Sequence, residues 1–219
     1  MKCRSLFFVA VLTLLYACQN NHESLDELTA IKKNFLHAIF DSEIEEGPFR
    51  FTYNQRTVFL SKDIISLFGE LHQYTQLPHG RARYEGKTFC KINGQFKELT
   101  LDDLFATNEQ KEFLRNYCEQ DLKKQGMTYF SGNEPIRASL EQEDISVFVI
   151  DDHFLIIIFQ PYVAGGYADG PFFVKIPHEH LKDRWNATNR LSSTLSQILA
   201  SKSFIATWDE DAYFQNLFE

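Results

Sequence analysis

"FQPYVAGGYADGPFFVKIP", Phe159 to Pro177, places Gly165, Gly166 and Gly170 within six residues directly after an apolar run. A glycine-rich loop in that position is either a phosphate cradle or a tight crossover between antiparallel strands. A cradle needs a helix immediately after it, because the backbone N–H groups of the helix start form the anion site. Here "GGYADG" leads into "PFFVKIP", which is strand-like, and no Lys-Ser/Thr pair ends the loop. The loop therefore predicts a crossover within an antiparallel sheet, its glycines permitting the turn. No nucleotide is expected.

The flanking segments agree with this. "ISVFVI" and "FLIIIFQPY" enclose Asp151-Asp152-His153, whose aspartates suit a hairpin turn. "KTFCKINGQFKEL" gives two strands around Asn93-Gly94, residues suited to a type I′ turn. Upstream, "FRFTY", "RTVFL" and "IISLFGELHQY" are strand-like, with "SKD" as a turn and Ile65, Leu67 and Leu71 on one parity. "LPHGRAR" reads as a loop, and "TLDDLF" as a compact turn that drops Leu104 and Phe105 onto the core.

Two helices are predicted. Thr107 and Gln110 form a capping box for residues 108–125, with Phe113, Leu114, Tyr117 and Leu122 as the apolar face and Gly126 as the stop. Ser24 and Glu27 cap a helix over about 25–40, with Leu28, Ile31, Phe35 and Ile39 at helical spacing. "EEGP" ends that segment. Residues 190–219 read as partly helical through Leu191, Leu195 and Ile198, and finish in an acidic aromatic tail. The expected fold is α+β, an antiparallel sheet of hairpins packed against one or two helices.

The first residues predict export. Lys2 and Arg4 precede the short apolar run Leu6 to Leu15, and "LYAC" closes it at Cys18. A basic start, an apolar stretch too short to span a bilayer and a small residue before the cut make a secretion signal. Its specific form is a bacterial lipoprotein signal, cleaved before Cys18, whose thiol takes a diacylglycerol; the alternative is an ordinary secretion signal cut nearby. The expected organisation is a signal over 1–17, a tether over 18–23, a helix and linker over 24–48, a domain over 49–181 and an extension over 182–219. Removing residues 1–17 takes away Lys2 and Arg4 and moves the formal charge from −8 to −10. An acidic surface argues against nucleic acid and favours a basic partner. Aromatics at 15%, with 21 Phe, predict a substantial apolar interior.

The order of segments resembles a known family. "LPHGRARYEGKTFCKINGQFKELTLDDLF", a helix, then "FVIDDHFLIIIFQPYVAGGYADGPFFVKIPHEHL" is similar to the extracellular domain of RsiV-like anti-sigma factors. The same domain accompanies the catalytic domain of PdaC-type peptidoglycan deacetylases. The elements that match are His79-Gly80, Asn93-Gly94, Leu99 to Phe105, Pro161-Tyr162, Ala164, Tyr167-Ala168, Gly170 and Ile176-Pro177. They span about residues 49–181. Pro78 departs from the small residue usual before His79, and Gly166 from the proline common before the tyrosine. The resemblance implies an α+β domain in the cell envelope, and in receptor members recognition of lysozyme. It does not imply catalysis. Neither family role is expected here, because only five residues precede the apolar run and no metal-binding catalytic motif follows.

Candidate chemistry is sparse. His178, Glu179 and His180 invite a zinc reading, but the helical metalloprotease pattern would need histidine where Lys182 stands, so surface histidines at a strand end are expected. Asp151, Asp152 and His153 are expected as a turn, and Ser131-Gly132 lacks the nucleophile elbow. No metal or cofactor is expected. Cys90 and Cys118 both point toward one core, which in an exported chain predicts a disulfide, with two buried thiols as the alternative. The expected function is a non-catalytic, lipid-anchored envelope protein that binds lysozyme or another basic protein, or a peptidoglycan fragment. The contact residues would be His79, Gly80, Tyr162, Gly165, Gly166, Tyr167 and Asp169. The alternatives are an accessory of peptidoglycan hydrolysis or deacetylation with weak activity, and a scaffold of an envelope complex.

Overall fold

The computed structural model describes residues 26–35, 50–74, 80–127, 129, 139–181 and 184. Two compact units divide the chain, Met1–Pro48 and Phe49–Glu219. In the first, residues 26–35 form helix α1, which buries Leu28 and Phe35 at the predicted spacing. Cys18, His79, Ser131-Gly132 and the extension from residue 185 onward lie outside the described residues. Among the described residues no helix is long and apolar enough to cross a membrane.

The described residues of the second unit form two antiparallel sheets. The first takes the order β1 (Arg50–Leu60), β2 (Ile64–Tyr74), β3 (Arg81–Ile92) and β4 (Gln95–Leu99). Its turns follow their residues. Ser61 Oγ accepts the Ile64 N–H at 2.9 Å while Ser61 N–H donates to the Ile64 carbonyl at 2.8 Å, which closes "SKD" between β1 and β2. Asn93 (φ 53°) and Gly94 (φ 82°) both take the left-handed region that a type I′ hairpin needs. One boundary differs from the sequence expectation. Arg81 to Arg83 are strand and not loop, because they pair with Leu71 to Gln73 of β2.

The second sheet is β5 (Val147–Ile150), β6 (Phe154–Phe159) and β7 (Phe172–Pro177), in that order. Between the sheets in sequence lie the short α2 (Leu101–Leu104) and α3 (Asn108–Lys124). Thr107 Oγ1 accepts the Gln110 N–H at 3.2 Å and Gln110 Oε1 accepts the Thr107 N–H at 3.0 Å, which is the predicted capping box of α3.

Strand parity sorts the core into layers. On one face of the second sheet, Phe148, Ile150, Leu155, Ile157, Val174 and Ile176 join Leu114, Cys118 and Leu122 of α3 in one buried cluster, with Leu104 and Phe105. On the other face, Val149, Ile156 and Ile158 pack on Phe68 and Tyr84 of the first sheet. The middle strand is therefore buried on both faces, which explains its unbroken apolar run "FLIIIF". Burying each such leucine or isoleucine contributes roughly 1.5–3 kcal/mol. β2 is also buried on both parities. Ile65, Leu67 and Leu71 are joined by Ile64, Ser66 and Phe68.

Side chains close three of the sheet edges. β4 pairs only with Thr88 to Ile92, so the earlier half of β3 lacks that neighbour. There the side-chain amide of Gln160 takes both backbone groups of Tyr84, accepting its N–H at 3.0 Å and donating to its carbonyl at 2.5 Å. On β5, the Ile150 N–H donates to Ser66 Oγ at 3.1 Å, and Ser66 and Thr88 share a buried hydrogen bond of 2.8 Å. On β7, Gln125 Nε2 donates to the Phe173 carbonyl at 3.0 Å. Capped edges are poor templates for aggregation.

Candidate functional site

The loop between β6 and β7 is built from four consecutive devices, three of them local. First, the Val163 N–H donates to the Gln160 carbonyl at 3.2 Å, closing a four-residue turn. Pro161 occupies its second position, where the ring fixes φ near −65°. Tyr162 occupies its third, at φ 71°. That combination is a type II turn, whose third position ordinarily belongs to glycine. Next, the buried Ala164 gives its carbonyl to the Tyr129 N–H at 3.1 Å.

Gly165 follows, and here the absence of a side chain is required. An added Cβ would lie 2.7 Å from Asp169 Oδ2 and 2.9 Å from the Phe172 ring. Last, Asp169 Oδ2 accepts the Gly166 N–H at 2.7 Å, which holds a single 3-10 turn over Tyr167–Asp169. Gly170 leaves that turn at φ 82° and Pro171 leads into β7. The loop is thus a crossover between neighbouring antiparallel strands, as its sequence predicts.

The loop also presents an aromatic pair. Tyr162 and Tyr167 stand with ring centroids 6.0 Å apart and an interplanar angle of 34°. Tyr162 is 55% exposed, while Tyr167 is half-buried. Asp169 is exposed, but one carboxylate oxygen is committed to the loop backbone. Gly80 has a part in the fold, since a Cβ there would lie 2.5 Å from the Gln73 carbonyl oxygen. It precedes Tyr84, where Gln160 is bound, by four residues, about 13 Å along the strand. Gln160 was not singled out by its sequence. Nothing in a lone glutamine before proline reveals that its amide will meet a strand 76 residues earlier in the chain.

The second candidate cluster is a turn. Asp151, Asp152 and His153 bring their ligand atoms within 4.8 Å of one another. Asp151 Oδ1, however, accepts the N–H groups of His153 and Phe154 at 2.7 and 2.6 Å. Asp152 Oδ1 lies 2.7 Å from His153 Nδ1. These contacts close the β5–β6 hairpin, in keeping with the preference of aspartate for such turns.

Of the histidines that follow the end of β7, His180 lies at the surface as expected and His178 does not. His178–Leu181 form a helical turn, α4, directly after β7. His180 is exposed, whereas His178 is half-buried and its Nε2 donates to the Asp151 carbonyl at 3.0 Å. Burial lowers the His178 pKa from its usual value. Burial raises that of the Asp151 carboxyl, against the two N–H groups that bind it.

The expected Cys90–Cys118 bridge is not formed. Both residues lie fully buried in the same core cluster, as their positions predict, but as free thiols. Burial, with Asp63 nearby, pushes the Cys90 thiol up to about 11. Burial raises Cys118 as well, with Asp121 and Glu119 adding to it. Apolar packing holds both as neutral thiols and suppresses the thiolate that forms disulfides.

Comparison with solved structures finds two similar chains. The structure is similar to that of a DUF3298 family member from Bacteroides fragilis NCTC 9343, with 18% identity and a TM-score of 0.51, over 78% of this chain and 68% of that one. It is also similar to a DUF3298 family protein from Pseudomonas aeruginosa PAO1, with 14% identity and a TM-score of 0.47, over 74% of this chain and 70% of that one. At that identity the first likeness concerns the fold alone. No curated protein matches the chain. Residues 102–179, which contain α3, the second sheet and the whole tyrosine loop, match the family described as "Protein of unknown function (DUF3298)".

Proposed function

We propose that the chain is an exported, lipid-anchored envelope protein whose domain over residues 49–181 binds a basic protein partner through the Gln160–Gly170 loop and catalyses no reaction. The observation that carries this reading is Tyr162. Its backbone has a glycine's conformation, φ 71°, and its ring is 55% exposed. Holding a tyrosine there costs roughly 1–3 kcal/mol, and little burial offsets it. The ring instead stands beside Tyr167, forming an aromatic surface on a loop braced by hydrogen bonds within it and to Tyr84 and Tyr129. Tyrosines presented in this way are characteristic of binding hot spots. A residue kept for packing would not be placed so.

The resemblance to RsiV-like extracellular domains supports a c-type lysozyme as the best single partner. Lysozyme is strongly basic, and the chain carries a formal charge of −8, or −10 without residues 1–17. Opposite charges speed encounter and make it sensitive to salt. The test is a calorimetric titration of lysozyme into the soluble chain lacking residues 1–17, at low and high salt. Saturable binding that weakens with salt and slows cell-wall cleavage by lysozyme is expected. Absence of saturable binding at low salt would contradict the proposal.

A further inference from the structure

We infer that Gln160 is the positioning residue of the tyrosine loop, its side-chain amide registering the loop against the first sheet as a paired peptide would. The inference rests on the loop's proposed role in recognition, but its geometry stands separately. β4 pairs with β3 over Thr88 to Ile92 and does not extend to Tyr84. The Gln160 amide presents one acceptor and one donor, as a neighbouring peptide would. It engages the Tyr84 N–H at 3.0 Å and the Tyr84 carbonyl at 2.5 Å. The backbone carbonyl of the same residue accepts the Val163 N–H at 3.2 Å and so opens the turn that carries Tyr162. One residue therefore grips the first sheet with its side chain and starts the strained turn with its main chain. Tyr84 is itself fixed, buried and stacked on Phe68 at 6.2 Å with an interplanar angle of 23°. The loop inherits its position from that buried ring.

The chemistry of the grip gives a discriminating test. Gln160→Glu keeps the shape and one acceptor but, when ionised, sets a carboxylate oxygen against the Tyr84 carbonyl. When protonated, the introduced carboxyl again offers one acceptor and one donor. Amide hydrogen exchange should therefore show Val163, Gly166 and Gly170 exchanging at least about tenfold faster in Gln160→Glu at neutral pH. Protection should return toward the wild-type value as pH falls through the carboxylate range, after correction for the intrinsic pH dependence of exchange. β6 amides should change little. Gln160→Met removes both bonds without adding charge, so it should lose the same loop protection at every pH. Lysozyme affinity should fall by about tenfold or more in both variants at neutral pH. Unchanged loop exchange in both variants overturns the inference, whatever lysozyme does. Faster exchange with the pH-dependent rescue, in a wild-type chain that does not bind lysozyme, upholds the positioning role and refutes the proposed partner instead.

Discussion

Cys90 and Cys118 sit in one apolar cluster, and burial disfavours the thiolate at both. Neither should react with an alkylating agent in the native protein. After unfolding without reductant, both should, and mass spectrometry should count two modified thiols. An unreduced, unfolded chain with none would show that they are bridged. His178 makes a second prediction. Burial lowers its pKa below 6.5, so the unfolded chain binds the proton more readily than the folded one. The stability contributed by the neutral ring is complete above that value and is lost as pH falls through it toward the folded pKa. Asp151 works in the opposite sense. Its raised folded pKa favours the fold below 3.8, an advantage lost as pH rises through the raised value. Comparing the wild type with His178→Asn isolates the histidine. Between about pH 7 and pH 5 the wild-type melting temperature should fall more steeply than that of the variant. Equal slopes would contradict the assignment.

At the scale of elements, the capping box of α3 is worth a direct measurement. Thr107→Ala removes the side-chain acceptor of the Gln110 N–H and should cost about 1 kcal/mol, lowering the melting temperature by roughly 2–4 °C in a chain of this size. An unchanged melting temperature would show that helix packing, not the cap, fixes that end. This cap was legible in the sequence because its partners are three residues apart. So were the Asn93-Gly94 hairpin, the Asp151 turn and the crossover at "GGYADG", each set by local backbone demands. Long-range features were not legible. The division into two sheets depends on Phe68 and Tyr84 meeting Ile156 and Ile158, a contact no periodicity predicts. The start of β3 at Arg81 depends on β2, and the burial of His178 on a hairpin 27 residues earlier. Tyr162 and Tyr167 were visible as loop tyrosines. The strain at Tyr162 follows from a turn type that the sequence, with tyrosine where glycine is usual, argues against.

For the whole molecule, the proposed anchor and the proposed recognition are separable. Cys18→Ser should move the protein from the detergent phase to the aqueous phase in a partition experiment. A wild-type chain already in the aqueous phase would contradict the anchor. Recognition rests on Tyr162, and the measurement that tests it most directly is Tyr162→Gly followed in two readouts, lysozyme affinity by titration and melting temperature. Glycine satisfies the turn at φ 71° without strain, so the fold should be as stable as the wild type or more so, by up to about 1 kcal/mol. Losing an anchoring ring should weaken binding by about 2 kcal/mol, some thirtyfold. Affinity lost with stability kept is the result the recognition site predicts. Stability lost with affinity kept would mean that Tyr162 serves the fold alone and would contradict it.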